Sequence, residues 1–376
     1  MKKILICFGT RPEAIKMLPV YLEFLKDPSF EVKLCVTGQH REMLDQVLEI
    51  FEVVPDYDLN IMKKGQTLSE VTSKIIRRMD DIIEGFMPDM IFVHGDTATT
   101  LSVSIAAFYN KISIAHVEAG LRTFNLKSPW PEEANRKLTS VITDLHFAPT
   151  DKAKNNLIDE GYAPASVYVT GNTVIDALMM VRDNLSNSTE FKESLIKRFD
   201  FLDFSKKFVL VTGHRRENFG EGFKNICTVL NSLALDFPEV NFVYPVHLNP
   251  NVSEVVKATL GDVGNIYLIE PLDYQSFVFM MDQSYFILTD SGGVQEEAPS
   301  LNKPVLVMRD TTERPEGLKS GTLKLVGTSV NPLIKQCHEL LTNQDAYNEM
   351  SNATNPYGDG MASGRILRVV KEYFSI

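Results

Sequence analysis

The chain of 376 residues is poor in cysteine: Cys7, Cys35, Cys227 and Cys337 are scattered and form no C-x-x-C pair. That spacing argues against a zinc ribbon, a redox dithiol or a disulfide framework, and it leaves Cys7 and Cys35, which lie in strand-like runs, as expected buried thiols. No apolar run approaches the ~20 residues that a membrane helix needs. The start, MKKILICFGTRPEA, has a short apolar run that gives way to charge, and it reads as a strand rather than a signal peptide. Positive charge is also in deficit. The 38 Lys and Arg against 49 Asp and Glu give a net charge of −11, which disfavours nucleic acid and anionic membranes as partners but leaves room for a local small-anion site. G-x-G-x-x-G, Walker and H-E-x-x-H patterns are missing, as are internal repeats and low-complexity segments. These absences leave a cytoplasmic, enzyme-sized protein as the expectation.

Short Val/Ile-rich runs alternate with longer amphipathic segments. In the first half the strand patterns are KILICFG, EVKLCVTG, MIFVHGD, SIAHVEAG, DLHFAPT and SVYVTGN; in the second they are FVLVTGHR, NFVYPVH, IYLIEPL, YFILTDSG, PVLVMRD and TLKLVG. Strand–helix alternation with such strands predicts parallel sheets covered on both faces. Two such series predict two doubly wound α/β domains, residues 1–170 and 171–361, with a last amphipathic helix over 362–376 packing back on the first. Ligands of such sheets bind beyond the carboxyl ends of the strands, where most of the unusual residues fall.

The stretch TDSGGVQEEAPSLNKP, from Thr289 to Pro304, is the most informative. It follows a buried-strand pattern and opens a helix with Ser291 at the N-cap. Gly292 and Gly293 permit close approach of backbone to a ligand, and a helix start suits a phosphate. Glu296 and Glu297 follow, near enough for one to grip a ribose diol. GTRPEAIKMLP places Arg11 and Lys16 after the first strand as anion-binding candidates, with Pro12 suited to a helix start. HGDTATT, HVEAGLRT and SPWPEEANR bring Asp96, Glu118, Glu132, Glu133 and Arg136 to strand ends or loops of one domain, which suggests an acid–base cleft. TGHRRENFG and RDTTERPEG add His214, Arg215, Arg216, Glu217, Arg309, Glu313 and Arg314, with His214 and Arg314 as diphosphate candidates. The i,i+2 pairs His94/Asp96 and His116/Glu118 have a spacing that a metal could use, but packed structural histidines are the favoured reading and no metal is expected.

Taken together, these motifs resemble the non-hydrolysing UDP-N-acetylglucosamine 2-epimerases. The resemblance runs almost end to end, through GTRPEAIKMLP, VTGQHREMLDQVL, VHGDTATT, HVEAGLRT, SPWPEEANRKLT, GNTVIDAL, TGHRREN, VHLNP, TDSGGVQEEAP, RDTTERPEG and NPYGDGMASGRI. It implies the GT-B fold, two Rossmann-like domains facing a cleft. It also implies interconversion of UDP-GlcNAc and UDP-ManNAc with no cofactor, a homodimer, and a product that feeds surface polysaccharide. The C2 proton is barely acidic, and no nicotinamide motif is present. The expected route is therefore anti elimination of UDP to a 2-acetamidoglucal and syn re-addition after protonation on the other face. The resemblance assigns acid–base work to Asp96, Glu118 and Glu132, with His214 beside the diphosphate. It assigns phosphate contacts to Arg11, Arg314 and the Ser291, Gly292 and Gly293 backbone, and the ribose to Glu297. Phe277 is expected on the uracil, the Leu272 main chain at its edge, and Lys16 near the sugar or phosphates. Gln39, His40 and Gln66 are candidates for an activating second UDP-GlcNAc. The rival readings are a GT-B glycosyltransferase, a hydrolysing epimerase and a nucleotide-sugar sensor.

Overall fold

A computed structural model of the chain describes residues 1–38, 41–63 and 65–376. The polypeptide divides into two units, Met1–Ala177 with Gly358–Ile376, and Leu178–Tyr357. The first unit holds a sheet of β1 (Lys2–Phe8), β2 (Phe30–Val36), β3 (Tyr57–Asp58), β4 (Met90–His94), β5 (Ser113–Val117), β6 (Leu145–Ala148) and β7 (Val167–Val169), in the order β3-β2-β1-β4-β5-β6-β7. The second holds β8 (Phe208–Thr212), β9 (Asn241–Pro245), β10 (Ile266–Ile269), β11 (Phe286–Thr289), β12 (Val305–Val307) and β13 (Leu323–Leu325), in the order β10-β9-β8-β11-β12-β13. Strands pair in parallel in both sheets, and Cys7 stands in register opposite Cys35.

The residues explain this layering. The inner strands are buried along their length, as β4 and β8 show, because helices cover both sheet faces. Threonine starts several of those helices. Thr67 and Glu70 form a reciprocal capping box at Leu68–Phe86, and Thr97 and Thr150 cap Ala98–Tyr109 and Asp151–Asp159. The Leu68–Phe86 helix lays Val71, Ile75, Met79 and Ile83 on a core with Leu5, Ile91 and Val93. In the second unit Phe223, Ile226 and Leu230 meet Val209, Val211, Phe242 and Tyr244. The final helix, Ala362–Phe374, is fixed to the first unit at both ends. Asp176 accepts from the Ala362 and Ser363 amides at 3.2 and 2.7 Å, and Lys371 pairs with Asp27 at 2.8 Å. All four cysteines are free and buried. Among the described residues no helix is long and apolar enough to cross a membrane.

Each sheet reverses its strand order between two neighbouring strands, β1/β4 in the first unit and β8/β11 in the second. Beyond the carboxyl ends of such a pair the outgoing chains diverge to opposite faces and leave a crevice.

Candidate active site

At the first switch point, β1 ends at Gly9 and Thr10, and the helix Arg11–Leu25 begins. Glu13 folds back into a buried cross-brace. Its carboxylate accepts from the Gly9 and Thr10 amides at 3.0 and 2.8 Å, and from the Thr97 and Thr100 hydroxyls at 2.6 and 3.3 Å. Burial still pushes its pKa up against those four bonds. A Cβ at Gly9 would collide with the Thr37 and Thr99 hydroxyls, which bond each other at 2.9 Å, so only glycine fits between them. The turn after β1 is thereby fixed to the turn after β4.

That scaffold sets four charged side chains. Lys16, on the second turn of its helix, pairs with Glu118 in the turn after β5. Glu118 has φ +60°, a left-handed conformation that costs a non-glycine residue energy and commonly marks a functional position. Its Oε2 also accepts from Asn172 Nδ2 at 3.4 Å. Asp96, two residues past β4, pairs with Arg136 at 2.5 Å, while Asn135 holds its backbone carbonyl at 2.8 Å. Burial raises the Asp96 pKa, Arg136 opposes the rise, and the charges of Glu118 and Glu132 reinforce it. Asp96, Glu118, Glu132 and Lys16 therefore share one electrostatic neighbourhood.

The neighbouring glutamate has a different job. Glu133 is fully buried, accepts from the Thr123 and Phe124 amides at 3.1 and 3.0 Å, and pairs with Arg136 at 3.0 Å. It shapes the loop that leads to the helix Glu132–Val141, whereas Glu132 opens that helix half-exposed. His116 donates from Nε2 to the Gly95 carbonyl at 2.7 Å and fixes the turn that carries Asp96. Among the described residues no three His, Cys, Asp or Glu side chains converge to hold a metal ion.

At the second switch point the buried carboxylate is Asp290, immediately after β11. It accepts from the His214 amide at 3.1 and 3.0 Å, from the Arg215 amide at 2.9 Å and from Asn218 Nδ2 at 3.1 Å. His214 presents a half-exposed ring 5.7 Å from that of His247, with Nδ1 3.5 Å from Asp290. Burial lowers its pKa, and the Asp290 charge works against that. The helix Gly292–Glu297 starts at Ser291, whose hydroxyl does not cap it. Gly292 lets the Arg314 guanidinium lie against the helix start: a Cβ there would come 2.5 Å from Arg314 Nη1 and push the guanidinium aside. Arg314 is oriented by Glu296, Nε to Oε1 at 2.7 Å, so its outer nitrogens lie against the helix start. Glu297 accepts from the Tyr274 hydroxyl at 2.8 Å. Phe277 follows one turn later on the same helix, Tyr274–Gln283, with Leu272 just before it; both are half-buried.

Sequence-level candidates thus gather in two groups, one in each unit. In the first, Lys16, Asp96, Glu118 and Glu132 come together, and Arg11 opens the same helix as Lys16. In the second, His214, Ser291, Gly292, Gly293, Glu297 and Arg314 share one switch point. Gln66 accepts from the Lys63 amide at 2.5 Å and has a buried amide nitrogen without a partner among the described residues; Gln39 and His40 lie outside those residues. Sequence reasoning flagged Glu13 at a strand end without giving it a role, and it gave none to Asn172 or Tyr274. A readable signal existed for Glu13, since Thr10 and Glu13 have the capping-box spacing.

Two parallel-sheet α/β domains, each with charged side chains at its switch point, are the GT-B class of architecture. The family model described as UDP-N-acetylglucosamine 2-epimerase matches residues 23–371. The UDP-N-acetylglucosamine 2-epimerase of Yersinia pestis is 57% identical over 371 residues, covering 99% of each chain, and that of Escherichia coli K12 is 55% identical over 369 residues, covering 98% of each. The crystal structure of the Neisseria meningitidis UDP-GlcNAc 2-epimerase bound to UDP-GlcNAc superimposes with a TM-score of 0.88 at 53% identity, over 98% of this chain and 100% of that one. The chain belongs to the UDP-N-acetylglucosamine 2-epimerase family and is an enzyme of the isomerase class.

Proposed function

We propose that the enzyme interconverts UDP-GlcNAc and UDP-ManNAc by eliminating UDP across C1–C2 and adding it back. A carboxylate takes the C2 proton as the C1–O bond breaks anti to it, giving 2-acetamidoglucal and UDP. A proton then reaches C2 from the other face and a diphosphate oxygen re-adds to C1, syn to it. Overall the proton count is unchanged and no redox partner enters. The first unit supplies Asp96, Glu118 and Glu132 for proton transfer, with the choice of base among them open. The second supplies the UDP contacts: Arg314 and the Ser291, Gly292 and Gly293 backbone at the phosphates, with His214 beside them; Glu297 at the ribose; Phe277 and the Leu272 main chain at the uracil. Arg11 and Lys16 add positive charge at the phosphates or sugar.

The observation that carries this reading is the carboxylate cluster around Lys16, in which Asp96 is raised in pKa by burial and by two neighbouring carboxylates. A transferase or a sensor has no use for such a set, whereas proton removal and return needs groups poised between protonation states. In deuterated water, UDP-GlcNAc should gain deuterium at C2 as UDP-ManNAc accumulates, followed by NMR. Absence of deuterium in both sugars would refute the route. Free ManNAc and UDP as the sole products would indicate hydrolysis instead.

In the same reading the enzyme works in the cytoplasm as a homodimer and supplies ManNAc units for surface polysaccharide. Exposed Phe108 and Tyr109, with Leu138 and Val141 on the helix packed beside theirs, offer an apolar face for a second copy. Sedimentation at the monomer mass would refute the dimer. An activating second UDP-GlcNAc near Gln39, His40 and Gln66 would show as sigmoidal kinetics that a Gln66→Ala variant flattens, and hyperbolic wild-type kinetics would remove that site.

A further inference from the structure

His94 ends β4 with its side chain buried, and among the described residues neither ring nitrogen has a hydrogen-bond partner outside His94's own backbone. Native interiors rarely leave an imidazole without a partner from any other residue, so the arrangement calls for a reason. The nearest candidate partner is Glu118, whose Oε2 lies 3.8 Å from His94 Nε2, beyond hydrogen-bond range. That same oxygen is paired with Lys16.

The two neighbours differ in what they can hold. An ammonium only donates, so Lys16 favours the Glu118 carboxylate. A neutral imidazole also accepts through its bare nitrogen, so it can hold a carboxylic acid. Burial pushes the His94 pKa down to about 4, so that nitrogen stays available at neutral pH. Lys16 and Glu118 are the charged groups facing the ring, and His116 on β5 is the titratable one.

The geometry points to His94 as a positioning residue that accepts a hydrogen bond from Glu118 when Glu118 carries the proton, after Lys16 has turned to the substrate diphosphate. The carboxyl needs to move only about 1 Å to come within range. Glu118 thus has donors, Lys16 and Asn172, for its carboxylate and an acceptor, His94, for its protonated form. This inference rests on the reading of Glu118 as an acid–base group.

The test compares wild type, His94→Phe and His94→Gln by kcat, KM, UDP affinity and Tm across pH 5.5–9.5. Phenylalanine fills the space but accepts nothing, so kcat should fall roughly 10- to 100-fold, with KM and UDP affinity within about threefold. Loss of the acceptor disfavours protonated Glu118, so the Glu118-dependent limb of the kcat profile should move down by roughly half a unit or more. The amide carbonyl of glutamine should restore most of the rate. A His94→Phe enzyme with wild-type kcat and an unmoved profile would overturn the inference. So would a His94→Gln enzyme as impaired as His94→Phe, or losses that track Tm or UDP binding. Glu118→Gln, measured alongside, separates the two layers. A fully active Glu118→Gln sinks the acid–base role itself, whereas an inactive one with a normal His94→Phe sinks only His94.

Discussion

Each unit places an aspartate immediately before the N-cap of the helix that leaves its switch point: Asp96 before Thr97, and Asp290 before Ser291. The two are used in opposite ways. Asp290 is fully buried and spends its oxygens on the His214 and Arg215 amides and on Asn218. In the first unit the corresponding bracing of the turn after the leading strand falls to Glu13, from the following helix. Buried amides at a strand end must find acceptors, and either element can supply one. Because Glu13 does so in the first unit, Asp96 is left half-exposed beside Glu118 and Glu132. Because Asp290 does so in the second, its rim carries His214, a helix start and Arg314, which Glu296 holds in place, while Glu297 is engaged by Tyr274. One scaffold thus yields an acidic rim and a basic rim, decided by which residue takes the structural duty.

The sharpest break of this comparison comes from the acidic rim. Asp96→Asn, Glu118→Gln and Glu132→Gln should each lower turnover by roughly 100-fold or more, with UDP affinity, read by calorimetry, nearly unchanged. If all three keep near-normal rates, the rim has no acid–base role. On the basic rim the expected loss is in binding. Gly292→Ala drives a methyl into the space of Arg314 Nη1 and should weaken UDP binding about tenfold, with secondary structure by circular dichroism unaltered. Unchanged UDP affinity in both Gly292→Ala and Arg314→Ala would show that Arg314 does not serve the diphosphate.

Glu13→Ala and Asp290→Ala test the shared bracing itself. Each leaves several buried donors without an acceptor, so each should cost about 1–3 kcal/mol of stability in urea titrations. If one costs nothing, the turns are held by something other than the two carboxylates.

Much of this was legible in the sequence. Twelve of the strands match the Val/Ile-rich runs, because strands buried on both faces are written as continuous apolar stretches. The two-residue β3, Tyr57–Asp58, is too short to carry a pattern. Glycine-pair and carboxylate motifs marked the strand ends, yet the sequence could not say which acid braces and which is left over. Glu132 and Glu133 are adjacent and chemically alike, and only the helix phase buries the second under Thr123 and Phe124. The positive φ of Glu118 was likewise hidden, since that conformation is normally announced by glycine or asparagine.

The two units also differ in their histidines, and that predicts a smaller effect that depends on pH. His94, His116 and His146 in the first unit are buried, and burial holds them down to about 4, about 4 and about 3. His214, His247 and His338 in the second reach solvent. A histidine lowered on folding contributes stability in full above its unfolded pKa of ~6.5 and loses it as pH falls toward the folded value. Glu313 of the second unit, held to about 2 by Arg309, loses its contribution in a lower window, as pH falls below ~4.5. The raised carboxylates Glu13, Asp96 and Asp176 act in the opposite direction in the first unit. The informative quantity is therefore the difference between wild type and His146→Phe, which leaves those groups in place. From pH 7.5 to pH 5 the wild type should lose roughly 2 kcal/mol more than the variant, visible as faster amide exchange in β5–β7. Equal acid sensitivity of the two proteins would mean that His146 finds a proton in the folded state, and that the first unit opens to water more readily than its buried histidine row implies.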